Sequence, residues 1–165
     1  EFTNSIFNGI FSCDKVETVG QYAFYRSVFT GDFNCPNLQT VGIRAFLFSV
    51  FTGDFNCPNV TLVEDFAFYY SQFNGSFECP NLQAVGDFAF ENSQFTGSFN
   101  CPNVTLVDYD AFLNSNFTQI TIGANATLGT GCIGAHSDEF INDYEANEKL
   151  AGTYVWDGTH WIYQT

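Results

Sequence analysis

The cysteines are the residues with the most obvious chemical potential, because five of the six recur every 22 residues: Cys13, Cys35, Cys57, Cys79 and Cys101. Regularly spaced thiols could form disulfides, bind zinc or act as nucleophiles. Neighbouring strands lie about 4.8 Å apart, which a disulfide could span, but equivalent side chains on in-register parallel strands point the same way. A single column of equivalent cysteines also does not supply the four tetrahedrally arranged ligands that zinc requires. We therefore interpret the column as small buried apolar groups.

No other set of residues predicts catalysis. The two histidines lie outside the repeats and have no serine or cysteine pattern beside them. Two acidic pairs, Glu64-Asp65 and Asp108 with Asp110, could hold calcium, but neither fits a known calcium loop. The sequence thus predicts no catalytic residue, no metal and no cofactor. Serines recur with the repeat, and we interpret them as structural groups that bond to the backbone: Ser27, Ser49, Ser71, Ser93 and Ser115.

The cysteines are one column of a 22-residue repeat that organises most of the chain. Phenylalanine, alanine and aliphatic columns recur with the same period. A fixed period of this length indicates a solenoid, in which each repeat buries its apolar side by stacking on its neighbours. We predict a core of three phenylalanine stacks: Phe7, Phe29, Phe51, Phe73, Phe95 and Phe117; Phe11, Phe33, Phe55, Phe77 and Phe99; and Phe24, Phe46, Phe68, Phe90 and Phe112.

Each repeat is predicted to contain short strands. Within residues 32–35, phenylalanine and cysteine alternate with polar residues, which is the period of a half-buried strand. The proline that follows ends this strand, because proline cannot donate to a ladder. A second extended piece is expected at residues 38–41 and a short helical turn at the A-F-x-x-S stretch. The recurring glycines predict a bulge or a left-handed backbone between the first two phenylalanine columns.

These residues carry a family resemblance. Val41-Gly42 followed by Ala45-Phe46, and Val85-Gly86 followed by Ala89-Phe90, recur together with a strand that ends in proline. Over residues 1 to about 135 this pattern resembles the BspA-like (Treponema-type) leucine-rich repeat, with Phe and Cys in place of the usual Leu and Ile. The resemblance implies a right-handed array of about six turns with short parallel strands. It also implies a bacterial cell-surface or secreted protein that adheres to host proteins or to other cells.

The N-terminal residues fit the same repeat. Counting back 22 residues from Phe24 reaches Phe2, so residues 1–6 are expected to be the remnant of an earlier repeat. We therefore expect part of a longer array or a processed product, with a cloning scar that mimics the repeat as the alternative.

Beyond the repeats, the chain is predicted to end in a cap. Residues 138–150 fit a helix with Ser137 or Asp138 as its N-cap, and a β-hairpin is expected around Asp157-Gly158. A helix and hairpin after the last turn are what a capping element requires. We predict a solenoid over residues 1–135 and a C-terminal cap over residues 136–165.

The charge of the chain excludes two classes of partner. The chain has four basic and 18 acidic residues, which gives a net charge of −14. Nucleic acids and anionic membrane surfaces both attract basic proteins, so neither is predicted as a partner. No apolar stretch is long enough to insert into a bilayer. An acidic surface fits an exported protein or a partner with a basic patch, and no oligomeric state is predicted.

The outward residues of the strands form the main candidate binding site. They flank the inward phenylalanine of each strand and would stack at strand spacing into a polar, acidic stripe. The strand face is the usual binding face of a leucine-rich array, and the resemblance implies the same use here. We predict that it binds an extracellular or host-surface protein. The stripe consists of Asp32, Asn34, Asp54, Asn56, Ser76, Glu78, Ser98 and Asn100.

Two other functions stay open at this point. The array could be a structural spacer or assembly module of a larger surface protein. Alternatively, the C-terminal hairpin could bind carbohydrate, because Tyr154 shares one strand face with Trp156, as Trp161 does with Tyr163, and aromatic rings stack on sugars. Such rings more often cover the last layer of a core.

Overall fold

A computed structural model describes residues 2–51 and 53–165, and the side chains of residues 74, 75 and 94 lie outside the description. Glu1, at the start of the predicted N-terminal remnant, also lies outside the described residues. The chain forms a parallel-strand β-solenoid of about five turns spaced about 22 residues apart, with a phenylalanine-rich core and a C-terminal helix. The predicted solenoid is confirmed, and one turn of 22 residues is called a coil below.

Short strands recur in every coil. The first coils contain β1 (Ile6–Phe7), β2 (Phe11–Ser12), β3 (Thr18–Val19), β4 (Val28–Phe29), β5 (Phe33–Asn34), β6 (Thr40–Val41), β7 (Val50–Phe51), β8 (Phe55–Asn56) and β9 (Leu62–Val63). The later coils contain β10 (Asn74–Glu78), β11 (Ala84–Val85), β12 (Gln94–Cys101), β13 (Leu106–Val107), β14 (Gln119–Ile122) and β15 (Thr127–Leu128). The two extended pieces predicted at residues 32–35 and 38–41 are β5 and β6.

The strands stack in parallel along the solenoid axis. The strands β1, β4 and β7 form one sheet, and β3, β6, β9, β11, β13 and β15 form a second, in which Val19 pairs with Val41 and Val41 with Val63. The third ladder is divided. The strands β2, β5 and β8 form one sheet, whereas β10, β12 and β14 belong to another. This division falls in the middle of the predicted stripe.

The phenylalanine stacks form the core as predicted. In the third stack, the ring centroids of Phe46 and Phe68 lie 4.9 Å apart at an interplanar angle of 2°. Within a coil the rings meet edge to face, as Phe33 does with Phe46 at 5.3 Å and 90°. Both arrangements suit the quadrupoles of the rings, so the core is held by ring packing as well as by burial of apolar area.

The A-F-x-x-S stretch forms a chain of turns, so the predicted helical turn is wrong. This segment is called the corner. Its successive amides donate alternately to a carbonyl of their own coil and to a carbonyl of the next coil. Ala45 N donates to Gly42 O within its own coil at 3.0 Å, whereas Phe46 N donates to Ala67 O of the next coil at 2.7 Å. The alternation needs left-handed residues such as Arg44 (φ 56°). A helix would use every amide locally and leave the coils unconnected here.

The glycine column allows close approach between coils. A Cβ atom at Gly31 would lie 2.4 Å from the backbone C and O atoms of Gly9, and one at Gly53 would lie 2.5 Å from Gly31 C. Gly9 itself is left-handed at φ 83°, and an irregular register occurs between Gly75 and Phe77. The predicted left-handed backbone is therefore found at Gly9, and the predicted irregularity is found after Gly75. At Gly31 and Gly53 the close approach of the previous coil explains the glycine.

The repeated serines bond to the backbone, as predicted. The buried Ser71 hydroxyl donates to Phe46 O of the preceding coil at 2.7 Å, and Ser49 donates to Phe24 O at 2.6 Å. We expect Ser71→Ala to lower the free energy of unfolding by about 1–3 kcal/mol, because it removes a buried hydrogen bond. Chemical denaturation measures this, with exposed Ser12→Ala as the control. Equal stability of the two variants would contradict the structural role.

The C-terminal segment is a helix followed by a hairpin, as predicted. Helix α1 (Ser137–Ala146) precedes β16 (Gly152–Trp156) and β17 (Trp161–Gln164). The strand β16 pairs antiparallel with both β14 and β17, so the hairpin extends the sheet of the last coils. Phe140 and Tyr144 of α1 are buried together with Tyr154 and Trp161 of the hairpin, and the Phe140 ring packs on both hairpin rings at 5.5 Å. The predicted boundary between residues 135 and 136 remains a prediction.

The ends of α1 differ from the sequence prediction. The helix begins after His136, whose left-handed backbone (φ 61°) occupies the N-cap without a side-chain hydrogen bond. The Ser137 hydroxyl instead accepts a bond from Ile133 N at 2.9 Å, so it stabilises the preceding loop. At the other end the chain turns at Asn147, and Glu148 and Lys149 are left-handed, which stops the helix before the predicted residue 150.

Candidate functional site

The cysteine column lies inside the solenoid. Cys35, Cys57, Cys79 and Cys101 are buried, whereas Cys13 in the first coil is half-buried. Burial raises the pKa of the Cys79 thiol to about 12 and raises that of Cys101 well above its usual range. A protonated buried thiol is a poor nucleophile and a poor metal ligand. The interpretation of the column as small buried apolar groups is confirmed for the four buried cysteines, whereas Cys13 is only partly covered.

The histidines and the acidic side chains are the remaining candidate metal ligands. No group of three or more His, Cys, Asp or Glu side chains among the described residues is placed to hold a metal ion. The imidazole of His136 stacks on Trp156 at 4.1 Å between centroids, and His160 Nδ1 lies 3.3 Å from Asp143 Oδ1. Both histidines therefore contact other residues of the cap, His136 through ring stacking and His160 through a polar contact.

The predicted stripe lies on the divided third ladder, and its side chains form short hydrogen-bonded ladders. Asn56 Nδ2 donates to Asn34 Oδ1 at 2.8 Å, and Asp54 N donates to Asp32 Oδ1 at 3.0 Å. In the later coils, Ser98 N donates to Ser76 Oγ at 3.0 Å. The structure brings these residues to one face, but as two half-stripes: Asp32, Asn34, Asp54 and Asn56 in one, and Ser76, Glu78, Ser98 and Asn100 in the other.

The residue type in one column changes at the division. The amide ladder requires each residue to supply an N–H₂ group to the oxygen of the residue before it. Glu78 follows Asn56 in this column, and a carboxylate only accepts hydrogen bonds, so the ladder ends at Asn56. The second phenylalanine stack changes at the same place, because Phe77 meets Phe90 at 4.8 Å and also Phe112 of the following coil at 5.2 Å.

A cleft of about 1290 Å³ lies between the two half-stripes. Asp54 and Asn56 line it on the side of β8, and Ser76 and Glu78 line it on the side of β10; all four are exposed. Below this polar rim the lining is aromatic and includes Phe51, Phe55, Phe73 and Phe77. The site is therefore an acidic opening over apolar rings. It could not be predicted from the sequence, because each column of the repeat continues across the gap.

A second groove runs along the solenoid beside the prolines. It encloses about 640 Å³ and carries no charged side chain among its lining residues. Its asparagines bond to the previous coil, as Asn59 Nδ2 does to Pro36 O at 2.8 Å. The repeated Pro-Asn pair is the sequence signal of such a ladder, which we did not predict. The lining residues are Asn37, Gln39, Asn59, Thr61, Asn81, Gln83, Asn103 and Thr105.

The aromatic residues of the hairpin face the core. Trp156 pairs with Trp161 and Tyr154 with Tyr163, so all four side chains lie on one face of the hairpin. Tyr154 is fully buried and Trp161 is 1% exposed, while Trp156 and Tyr163 are half-buried. Two of the four predicted glycan-binding rings are therefore unable to stack on a sugar in this conformation. Carbohydrate binding here remains a prediction, carried by Trp156 and Tyr163 alone.

A family model describes this architecture. The BspA type leucine-rich repeat region matches residues 17–136 in six copies. The chain belongs to the BspA-type leucine-rich repeat family. BspA-type arrays are generally surface proteins that act in protein interaction or adhesion, typically bacterial and non-enzymatic. Comparisons with curated proteins and with solved structures found no significant match.

The carboxylates at the cleft of this BspA-type array have no ion-pair partner among the described residues. In the described part of the chain, ion pairs form between Lys149 and Glu145 and between His160 and Asp143. Both lie in the cap, so Asp54 and Glu78 face the cleft without a cationic partner from the described residues. Within those residues, no helix combines the length and the apolar character needed to cross a membrane.

Proposed function

We propose that this chain is a non-enzymatic interaction protein, exported to a bacterial surface or its surroundings, that adheres to basic segments of extracellular or host proteins. The observation that carries the proposal is the cleft at the centre of the stripe. Asp54 and Glu78 lie on its two sides, above a lining of phenylalanine rings. The stripe thus has one recessed position at which a partner side chain would be held by charge and by packing together.

The chemistry of the cleft selects arginine and lysine. Each has an apolar stem that packs on phenylalanine and a cationic head that remains with the carboxylates. A guanidinium also interacts favourably with aromatic ring faces and binds carboxylates through two parallel hydrogen bonds. The remaining stripe residues, held in place by the Asn34–Asn56 and Asp32–Asp54 bonds, would contact polar groups beside the inserted side chain.

The net charge of −14 supports the same type of partner over longer distances. It attracts a basic surface before contact and raises the association rate, an effect that falls off over about 8 Å at physiological ionic strength. Binding to the stripe should therefore weaken as salt is added.

The test measures binding of the full chain to immobilised extracellular-matrix proteins and mucins at low and physiological salt. We expect a saturable, salt-sensitive interaction that the triple variant Asp32→Lys, Asp54→Lys and Glu78→Lys weakens at least about tenfold, because like charges across an interface repel. The expected loss appears mainly in the salt-dependent part of the affinity.

The matched control carries the same charge change elsewhere. Asp14, Glu17 and Glu139 are exposed and do not line the cleft, so their triple lysine variant should retain most of the binding. Equal binding by the stripe variant and wild type would show that the stripe is the wrong face. Equal loss in both variants would show that only net charge matters.

A further inference from the structure

A second surface with different chemistry lies on the corner of the solenoid. Eight aromatic rings form an unbroken line along it, with successive centroid distances between 4.7 and 6.2 Å. The line begins in the first coil and ends in the last, and is called the aromatic corner. Its members are Tyr22, Tyr25, Phe48, Phe66, Tyr69, Tyr70, Phe88 and Tyr109.

Several of these rings occupy backbone positions that disfavour them. Phe48 and Tyr70 are left-handed, at φ 59° and 56°, and so are Tyr22, Phe66 and Phe88. Bulky side chains are uncommon in this region, where asparagine is accepted more readily. The later coils have asparagine in the column of Phe48 and Tyr70, at Asn92 and Asn114. The fold itself therefore works with asparagine at these positions.

Packing in the core does not explain the aromatic corner either. Phe48 is 41% exposed, Tyr70 48% and Tyr109 46%, while the phenylalanine of the third stack fills the interior behind them. Contiguous exposed apolar residues on a soluble protein mark an interaction site. Strained and exposed aromatic residues together point to a role in binding.

Two of the four basic residues of the chain lie on the same surface. The Arg26 guanidinium lies over the rings of Tyr25 and Phe48 at 5.1 and 5.8 Å, and Arg44 lies over Phe66 at 4.9 Å. Neither arginine has a carboxylate within salt-bridge distance among the described residues. Tyrosine, phenylalanine and arginine are the residues enriched where protein interfaces bind most strongly.

We propose that the N-terminal half of the aromatic corner, from Tyr22 to Tyr70, is a docking surface for a protein segment that presents carboxylates among apolar side chains. Charge complementarity decides the partner, since the guanidinium groups retain N–H donors that match a carboxylate. They also cover faces of Tyr25, Phe48 and Phe66, which leaves less open ring face for a sugar. Two acidic residues farther along the corner accept hydrogen bonds from the backbone. Asp87 N donates to Asp65 Oδ1, and Tyr109 N donates to Asp87 Oδ1.

The test selects phage-displayed random peptides on the full chain. We expect the recovered peptides to combine Asp or Glu with Leu, Phe or Trp. Their affinity should fall at least about tenfold for the double variant Arg26→Ala and Arg44→Ala, which removes the two cations. A second variant, Phe48→Asn and Tyr70→Asn, should lose binding equally while its melting temperature stays the same or rises, because asparagine relieves the backbone strain.

Other outcomes would overturn the proposal. Basic peptides, or peptides whose binding survives both variants, would place docking elsewhere. A dimer in light scattering that the asparagine variant abolishes would assign the surface to a second copy of the chain. Binding confined to a glycan panel would assign it to carbohydrate. The stripe variant should bind the selected peptides normally, so failure here is distinguishable from failure of the acidic stripe.

Discussion

Replacing Phe68 with alanine is expected to lower the free energy of unfolding by about 3–5 kcal/mol, the range for a buried phenylalanine. Its ring is fully buried and stacks between Phe46 at 4.9 Å and Phe90 at 4.8 Å. It also meets Phe55 and Phe73 edge to face at 5.1 and 5.4 Å. The truncation leaves a cavity. The rings on its two sides cannot move in to fill it, because each is held in place by its own coil.

Urea denaturation followed by circular dichroism measures this change. Tyr109→Ala is the matched control, since that ring is also in a repeat column but is 46% exposed. We expect the control to lose much less stability. A Phe68 variant as stable as the Tyr109 variant would contradict a core made of continuous ring stacks, and would indicate that neighbouring coils collapse into the gap.

Gly31→Ala is expected to destabilise the first coils at or above the upper end of the about 1–3 kcal/mol typical of overpacking. The new Cβ would lie 2.4 Å from the C and O atoms of Gly9, and backbone atoms have no rotamer through which to move away. Each coil contacts only its neighbours, so the damage should concentrate where these two coils meet.

Hydrogen exchange locates that damage. We expect faster exchange of the amides in β2 and β5, with the six-stranded sheet less affected in the later coils. Gly20→Ala is the control, because no atom lies within 4 Å of the Cβ it would add. Uniform acceleration along the whole chain, or none, would show that close approach at Gly31 does not set the spacing of these coils.

Much of the fold could be predicted from the repeat alone. A 22-residue period fixes which columns face inward, because stacked coils have no other way to cover Phe46, Val41 or Cys35. The corner could not be predicted in the same way. Its residues alternate between local bonds and bonds to the next coil, as Ala45 and Phe46 do, and this alternation leaves no hydrophobic period that distinguishes it from a short helix.

The candidate site was predicted in part. The columns from Asp32 to Asn100 do share a face, because outward residues of in-register strands align. The cleft lies where Glu78 follows the end of an amide ladder and where strand pairing between coils is interrupted, and no column of the repeat reveals that interruption. The aromatic corner was missed for a different reason. Its rings occur in columns that also contain charged, amide and aliphatic residues, so they do not appear as a continuous aromatic stack along the repeat.

Hydrogen exchange of the full chain, with and without a synthetic arginine- and lysine-rich peptide, tests directly whether basic side chains bind in the cleft. The cleft account predicts slower exchange on binding in and around β8 and β10, on the two sides of Asp54 and Glu78. It also predicts no slowing with a peptide in which glutamine replaces every basic residue. Protection confined to the cap or to the uncharged groove, or equal protection by the glutamine peptide, would contradict the account.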